Sequence, residues 1–451
     1  MPEKTLKTVS LFSGGMGLDL GLESTGRFEL VCCVENDRAS CETIRLNKEA
    51  GRLPHGLQVI EADVSKLDPI EVLEKVGLDV GEVDIVVGGP PCQTFSTAGK
   101  RAGVQDHRGT LLWHFLRFVA EIKPDYFLME NVRGLLSAAL KHRPIAERPD
   151  KGGRPLEDEE QPGSVIEQFV KDLCDRTSDQ YRLDCFEVNA VNYGAPQLRE
   201  RAILVGNRFG KVLDFPNPTH GPAVNQTSQR SLFPVECESQ RWSTLGDAIG
   251  NLYDPNPEVL DFSPRKKSFL KLVPEGGNWR SLPIEVQQKS MGKAWHAKGG
   301  RSGWWRRLSM HYPCPTLITM PNHASTSLCH PTELRALSVR EYAAIQEFPE
   351  QWVFAGKTAE KYRQIGNAVP VRLGKVAGEV IASDVDSSLI ADHVTAASPQ
   401  PCRIVYIQSH VRTRSWFRDG AAVSNSSSKA EADYGAPKTV RRKPKVLGGG
   451  K

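Results

Sequence analysis

The sequence predicts an α/β fold, an open sheet flanked by helices, with a smaller and less regular domain near the C-terminus. Three observations carry this. Up to Gly206, short β-branched apolar runs alternate with amphipathic helical stretches, the pattern of successive βα units. The first run opens through a glycine-rich turn into a helix, an arrangement that brings backbone N–H groups close to a nucleotide-like ligand. Several later runs end on an acidic or nucleophilic residue, at the strand ends where open sheets bind ligands.

Taken in order, Lys7 to Phe12 reads as the first strand, and Ser13-Gly14-Gly15-Met16-Gly17 turns into the helix that begins Leu18-Asp19-Leu20. The next strand, Phe28 to Val34, ends in Glu35. This lies ~20 residues past the turn, where the architecture sets a carboxylate on ribose hydroxyls. A solvated acid is the plain alternative. Leu57 to Ile60 leads to Asp63, which either accepts from an exocyclic amine such as adenine N6 or caps the helix that follows. The run from Val83 must end at Gly88-Gly89-Pro90-Pro91, so Cys92 sits on a stiff turn at a strand end, where a thiol is a reagent rather than core filling. After the helix Leu111 to Glu121, the strand Tyr126 to Met129 ends in Glu130-Asn131-Val132. A carboxyl and a thiol at neighbouring strand ends form a plausible catalytic pair. His142 to Ser164 reads as a surface loop, Val165 to Cys174 as a helix and Tyr181 to Val191 as a strand. Arg199 and Arg201, two apart at the start of the strand ending at Gly206, share a face and suit phosphate.

At 451 residues, 39% of them apolar, the chain accommodates two domains or one with a large insertion. The net charge of +4 is only mildly basic, so nucleic-acid binding has to come from where charge is placed. No apolar run approaches the ~18 residues of a membrane span and no signal-peptide core is present, which predicts a cytoplasmic protein without a membrane partner. The ten cysteines lack any Cys-x-x-Cys pair and fit neither a disulfide framework nor a zinc site, so no metal is expected.

From Asn207 to Leu337 the alternation stops. Between Arg241 and Met310, twelve Lys and Arg stand against six Asp and Glu, with Trp242, Trp279, Trp295, Trp304 and Trp305 interleaved, a composition that suggests a nucleic-acid face. Each tryptophan taken singly reads better as core, whereas Lys266-Lys267 and Arg306-Arg307 read as phosphate contacts. Ser338 to Gln346 is a capped helix, a last helix runs from Val371 to about Ala382, and the Ser-, Pro- and Lys-rich remainder reads as mostly disordered, with Cys402 to Val411 able to form one strand.

With these pieces in order, the chain resembles the DNA (cytosine-5) methyltransferases from Leu11 to about Ile381. Leu11-Phe12-Ser13-Gly14 with Gly17 resembles the cofactor loop, Gly89-Pro90-Pro91-Cys92-Gln93 the nucleophile loop, and Glu130-Asn131-Val132 the motif of the catalytic glutamate. Gln197-Leu198-Arg199-Glu200-Arg201 matches the family's Gln-x-Arg-x-Arg, Arg340 to Pro349 the helix supporting the recognition domain, and Gly366-Asn367-Ala368-Val369-Pro370 the closing motif. One departure stands out: the family's loop reads Phe-x-Gly-x-Gly-Gly, and here Met16 replaces a glycine. A side chain there calls for a negative φ, so the loop is expected to be slightly re-formed.

The resemblance implies a Rossmann-like S-adenosylmethionine-dependent methyltransferase fold with a target-recognition domain inserted near the C-terminus. Residues 1–209, completed by 355–384, would form the catalytic domain, 210–337 the recognition domain, 338–354 a supporting helix and hinge, and 385–451 a basic tail. Cys92 would attack carbon-6 of a flipped cytosine, Glu130 would meet N3, and Arg201 with Arg199 would hold O2 and the flanking phosphate. S-adenosylmethionine would lie against Phe12, Gly14, Gly17, Leu18, Glu35, Asn36, Asp63, Val64, Pro90, Leu111, Asn367 and Val369. A base, for which water is one candidate, would remove the carbon-5 proton. Double-stranded DNA is the implied partner, a cognate restriction endonuclease a possible second one, and the expected state is a nucleoid-associated monomer. The rival readings are tRNA methylation on the same scaffold, a catalytically inactive DNA-binding protein, and a nucleotide-dependent oxidoreductase, which leaves the Pro-Pro-Cys turn unexplained.

Overall fold

The computed structural model describes residues 4–91, 110–178, 181–222, 240–296, 303–390, 402–407 and 445–446. The N-terminal part alternates as the sequence reading expects: β1 (Leu6–Leu11), α1 (Gly17–Glu23), β2 (Phe28–Glu35), α2 (Arg38–Glu49), β3 (Gln58–Glu61), α3 (Pro69–Val76), β4 (Ile85–Gly88), α4 (Leu111–Ile122) and β5 (Tyr126–Val132). Then come α5 (Ser164–Thr177), β6 (Arg182–Asn189) and β7 (Glu200–Asn207). The described residues of the irregular region hold the two-residue strands β8 (His220–Gly221) and β9 (Gln240–Arg241), the short helices α6 (Leu245–Ile249), α7 (Pro264–Leu270) and α8 (Ile284–Met291), and three 3-10 turns. Beyond it lie α9 (Val339–Ile345), α10 (Thr358–Asn367), α11 (Val371–Ile390), β10 (Arg403–Tyr406) and β11 (Lys445–Val446).

The main sheet has the order β11, β10, β6, β7, β5, β4, β1, β2, β3. Neighbours from β3 to β5 are parallel, and β7 runs antiparallel between β5 and β6. Because side chains alternate along a strand, each strand feeds two cores. In β4, Val86 packs with Phe115 and Phe118 of α4 and Phe169 of α5, while Ile85 and Val87 pack with Leu18 and Leu22 of α1 and Leu373 and Ile381 of α11. A third cluster joins Met16, Leu20 and Ile44 to Leu317, Tyr342 and Tyr362, tying the N-terminal half to the segment leaving the irregular region. That region has a core of its own in Phe262, Leu270, Trp279, Leu282, Met291 and Trp305.

The last long helix completes the N-terminal fold. α11 crosses α1 so closely that a Cβ on Gly17 would stand 2.1 Å from the Val369 carbonyl oxygen, and one on Gly21 2.3 Å from that of Val371. Reciprocally, a Cβ on Gly374 would lie 2.6 Å from the Leu18 oxygen. The sequence reading ends this helix near Ala382, where Ser and Asp take over, but it continues to Ile390. Tertiary bonds override the local composition: Tyr126 donates to Asp384 at 2.6 Å, and Arg27 pairs with both oxygens of Asp386 at 2.7 Å. The tail also contributes to the sheet, since β10 pairs in parallel with β6 and Arg403 donates to Asp184 at 2.5 Å.

The helix crossing makes a signed prediction. Helix propensity alone would let Gly21→Ala stabilise the protein by up to ~1 kcal/mol. The contact with backbone predicts a loss of ~1–3 kcal/mol instead. Thermal denaturation should therefore show a lowered midpoint for Gly21→Ala, and a raised one would contradict the packing described.

Candidate active site

Register brings the chemistry to one edge. Leu11 pairs with Val34 and Gly88, Gly88 with Met129, and Glu35 with Glu61, so the carboxyl ends of five strands are level. Phe12, Gly14, Glu35, Asp63, Gly89 and Glu130 all emerge there.

The turn after β1 is held by Glu35. One carboxylate oxygen accepts from the Gly14 N–H at 2.8 Å, and the other accepts from the N–H groups of Asn36 and Asp37, each at 2.8 Å. A carboxylate offers about four lone-pair sites, so three are committed to backbone and little is left for a ribose. Glu35 is thus first an anchor of the glycine turn. The expectation for Met16 fails: its φ is +73°, in the left-handed region. Left-handed backbone costs a non-glycine residue roughly 1–2 kcal/mol. What offsets it is burial, since the Met16 side chain is fully enclosed among Leu20, Cys33, Ile44 and Tyr362. The turn keeps the glycine conformation without the glycine.

Asp63 accepts from the Ser65 N–H at 2.9 Å and hydroxyl at 2.7 Å, both on one oxygen. Those two bonds hold its carboxyl below the usual carboxylate range and make it a local cap. Its second oxygen has no protein partner among the described residues. Val64 is buried, and its carbonyl accepts from Arg117 at 2.9 Å. Phe12 and Leu111 are half-buried at the edge, and Asn367 is exposed. Leu18 and Val369, expected beside the cofactor, instead pack with Leu373 in the core under α11, each 6% exposed.

Glu130 and Arg201 meet. Arg201 Nε lies 2.5 Å from one Glu130 oxygen, with both side chains nearly buried. The other Glu130 oxygen faces Gly89, 3.3 Å from where a Cβ would stand. Cys92, which the sequence makes the nucleophile, lies outside the described residues, but the turn leading to it is fixed: Asn131 donates from Nδ2 to the Pro90 carbonyl at 3.0 Å, and its own Oδ1 accepts from the Val132 N–H at 2.9 Å. Sequence reasoning gave Asn131 no role of its own. Its place between Glu130 and Val132, level with the turn, was the available signal.

Arg199 is not where it was expected. Its side chain is 1% exposed, and its guanidinium donates to the carbonyls of Leu317 (3.3 Å), Gly366 (3.0 Å) and Asn367 (3.3 Å). A phosphate or a pyrimidine oxygen cannot reach it there. Burial and the neighbouring Arg201 both oppose its charge, and Glu130 favours it. Two glutamines to which the sequence assigns no separate role act here as well. Gln197 donates to Gln346 Oε1 at 2.6 Å, and Gln346 donates to the carbonyls of Ile365 (2.6 Å) and Ala368 (3.0 Å).

The basic pairs of the small domain are also spent internally. Lys266 donates to the Asn322 carbonyl at 2.8 Å, Lys267 pairs with Asp261, and Arg307 donates to the carbonyls of His330 (3.3 Å) and Val273 (3.2 Å). Arg306 is half-buried. A domain with few helices and strands leaves many carbonyls unpaired, and long cationic side chains satisfy them. Trp279 and Trp305 are buried in its core, with Trp295 and Trp304 packed against them at centroid distances of 5.5 Å and 5.9 Å. Trp242 donates to Asn192 at 3.2 Å.

Comparison with known proteins agrees with this geometry. The family model described as C-5 cytosine-specific DNA methylase matches residues 6–383. The chain is 37% identical to the Type II methyltransferase M.PspPI of Psychrobacter sp. over 84% of its own length and 80% of the relative's. It is 36% identical to M.Sau96I of Staphylococcus aureus, over 83% and 75% of the two lengths. Among solved structures, a prophage-encoded Escherichia coli chain assigned as a DNA modification methyltransferase superposes with a TM-score of 0.54 at 24% identity, covering 85% of this chain and all of that one. That likeness bears on the fold, which is the Rossmann-like fold of methyltransferases. Family match, relatives and the level strand ends converge: the chain belongs to the C-5 cytosine-specific DNA methylase family and is a DNA cytosine methyltransferase.

Proposed function

We propose that the protein methylates carbon-5 of a cytosine rotated out of a specific duplex DNA sequence, with Cys92 as the transient covalent nucleophile. The observation that carries this reading is the Glu130–Arg201 pair beside the Gly89-Pro90 turn, two residues before Cys92. Carbon-5 is too weak a nucleophile to accept a methyl group unaided. Addition of the Cys92 thiolate to carbon-6 makes carbon-5 an enamine carbon. Glu130 meets N3 and takes up charge pushed into the ring, and Arg201 both orients Glu130 and stands within reach of O2. After methyl transfer a base removes the carbon-5 proton, the carbon-6 to sulfur bond breaks, and the thiolate departs.

S-adenosylmethionine supplies an electrophilic methyl group when bound. The edge suits it: among the described residues a Cβ on Gly14 would meet only the Phe12 oxygen, at 3.9 Å. Half-buried Phe12 offers an apolar face, Asp63 one uncommitted carboxylate oxygen for an amine, and Glu35 its remaining lone pair for a hydroxyl. Gly17, Asn36, Val64, Pro90, Leu111 and Asn367 contribute walls. Residues 1–209 with 355–384 act as the catalytic domain, 210–337 reads the DNA, and 338–354 supports it. Its Type II relatives favour a modification enzyme of a restriction system, working as a cytoplasmic monomer opposite a cognate endonuclease. No described helix is long and apolar enough to cross a membrane.

The test of this function is covalent trapping, with S-adenosylmethionine present, on duplex DNA containing 5-fluorocytosine, in which fluorine replaces the carbon-5 hydrogen and cannot leave as a cation after methyl transfer. The native protein should form a denaturation-resistant adduct and Cys92→Ser none; an adduct that survives in Cys92→Ser removes that residue from its role. For Glu130→Gln, steady-state turnover should fall ~100-fold or more, in keeping with general-acid contributions. Unchanged turnover would eliminate the role given to Glu130.

A further inference from the structure

The burial of Arg199, which has no carboxylate partner among the described residues, has a cause in helix geometry. An α-helix leaves its last four carbonyls without intrahelical donors and carries partial negative charge at that end. For α10 these are the carbonyls of Ile365, Gly366, Asn367 and Ala368, the first of which also takes a 3.2 Å bond from the Ala368 N–H. Gln346 serves the first and last, at 2.6 Å and 3.0 Å, and Arg199 serves the middle two, at 3.0 Å and 3.3 Å. The charge of Arg199 therefore faces the negative end of α10. Its other terminal nitrogen donates to the Leu317 carbonyl, on the segment leaving the recognition region, where Cys314 and Leu198 are joined at 2.8 Å. Gln197, two residues earlier on the same extended stretch, secures Gln346. The backbone of Arg199 is pinned too, its N–H donating to Asn189 at 2.9 Å.

What this clasp holds is the turn from Asn367 to Pro370, whose Val369 carbonyl presses on Gly17 at the start of α1. The Gly17 end of the glycine turn thus rests on the part of the chain that Arg199 fixes. We propose that Arg199 is a positioning residue which sets affinity for the methyl donor, rather than a group that touches the target base. Arg201, two residues on, serves the base, so one short stretch addresses both halves of the reaction. The inference rests on the reading that the sheet edge binds S-adenosylmethionine.

The test measures equilibrium binding of S-adenosylmethionine and, separately, of duplex DNA to the native protein, Arg199→Gln and Arg199→Lys, each checked for cooperative thermal unfolding. Arg199→Gln should weaken S-adenosylmethionine binding ~10-fold or more while DNA affinity changes less than about twofold. Arg199→Lys, which keeps the charge at the helix end but reaches fewer carbonyls, should restore part of the loss. If the glutamine variant does not fold, the lysine variant carries the test, with weakened donor binding and native DNA affinity expected. Native donor affinity in a folded variant, or a loss confined to DNA binding, overturns the proposal. A native protein that itself binds no S-adenosylmethionine would count against the cofactor reading instead.

Discussion

The buried carboxyl end of α10 is the constraint on which the site depends. Its last four carbonyls, of which only that of Ile365 takes a bond from within the helix end, at 3.2 Å from the Ala368 N–H, sit between the main sheet, the exit of the irregular region and the first helix. Leaving even one unpaired would cost about 1–3 kcal/mol. The chain meets the demand with side chains from far away, Arg199 and Gln346, and in doing so fixes three segments against one another. The Gly17 and Gly21 crossing follows from the same arrangement, because the turn that α10 ends in must pass α1 at backbone distance.

On the other side of the sheet edge, Glu130 and Arg201, proposed to meet the base, are positioned by strand register rather than by loops. Level strand ends bring Glu130 beside Gly89, and β7, antiparallel to β5, delivers Arg201 opposite Val132 and onto Glu130. Asn131 then ties the turn before Cys92 to the strand that carries the glutamate. Rigid elements supply both partners of the pair, which is what a reaction needing sub-ångström placement calls for.

Strands, their ends and the residues at those ends were legible in the sequence because they depend on local pattern and on chemistry that few residue types can perform. The position of Glu130 at the end of its strand stands out for that reason. What was not legible are partners separated by long stretches of chain. Arg199 looked like a second phosphate ligand because two arginines at alternate positions share a face, yet its acceptors lie at Leu317, Gly366 and Asn367. Lys266, Lys267 and Arg307 looked like a DNA face until their internal acceptors appeared. Met16 was expected to distort the turn, and the buried pocket around its side chain lets it keep a glycine's φ. Composition cannot tell an exposed cation from one that satisfies a carbonyl.

Methylation of carbon-5 of cytosine in duplex DNA is the reaction proposed for this edge. Bisulfite sequencing of DNA from cells expressing the chain measures it most directly, since 5-methylcytosine resists conversion. Conversion-resistant cytosines should recur in one short sequence context and be absent from cells lacking the protein. Complete conversion at every cytosine, with the folded protein present, would contradict it.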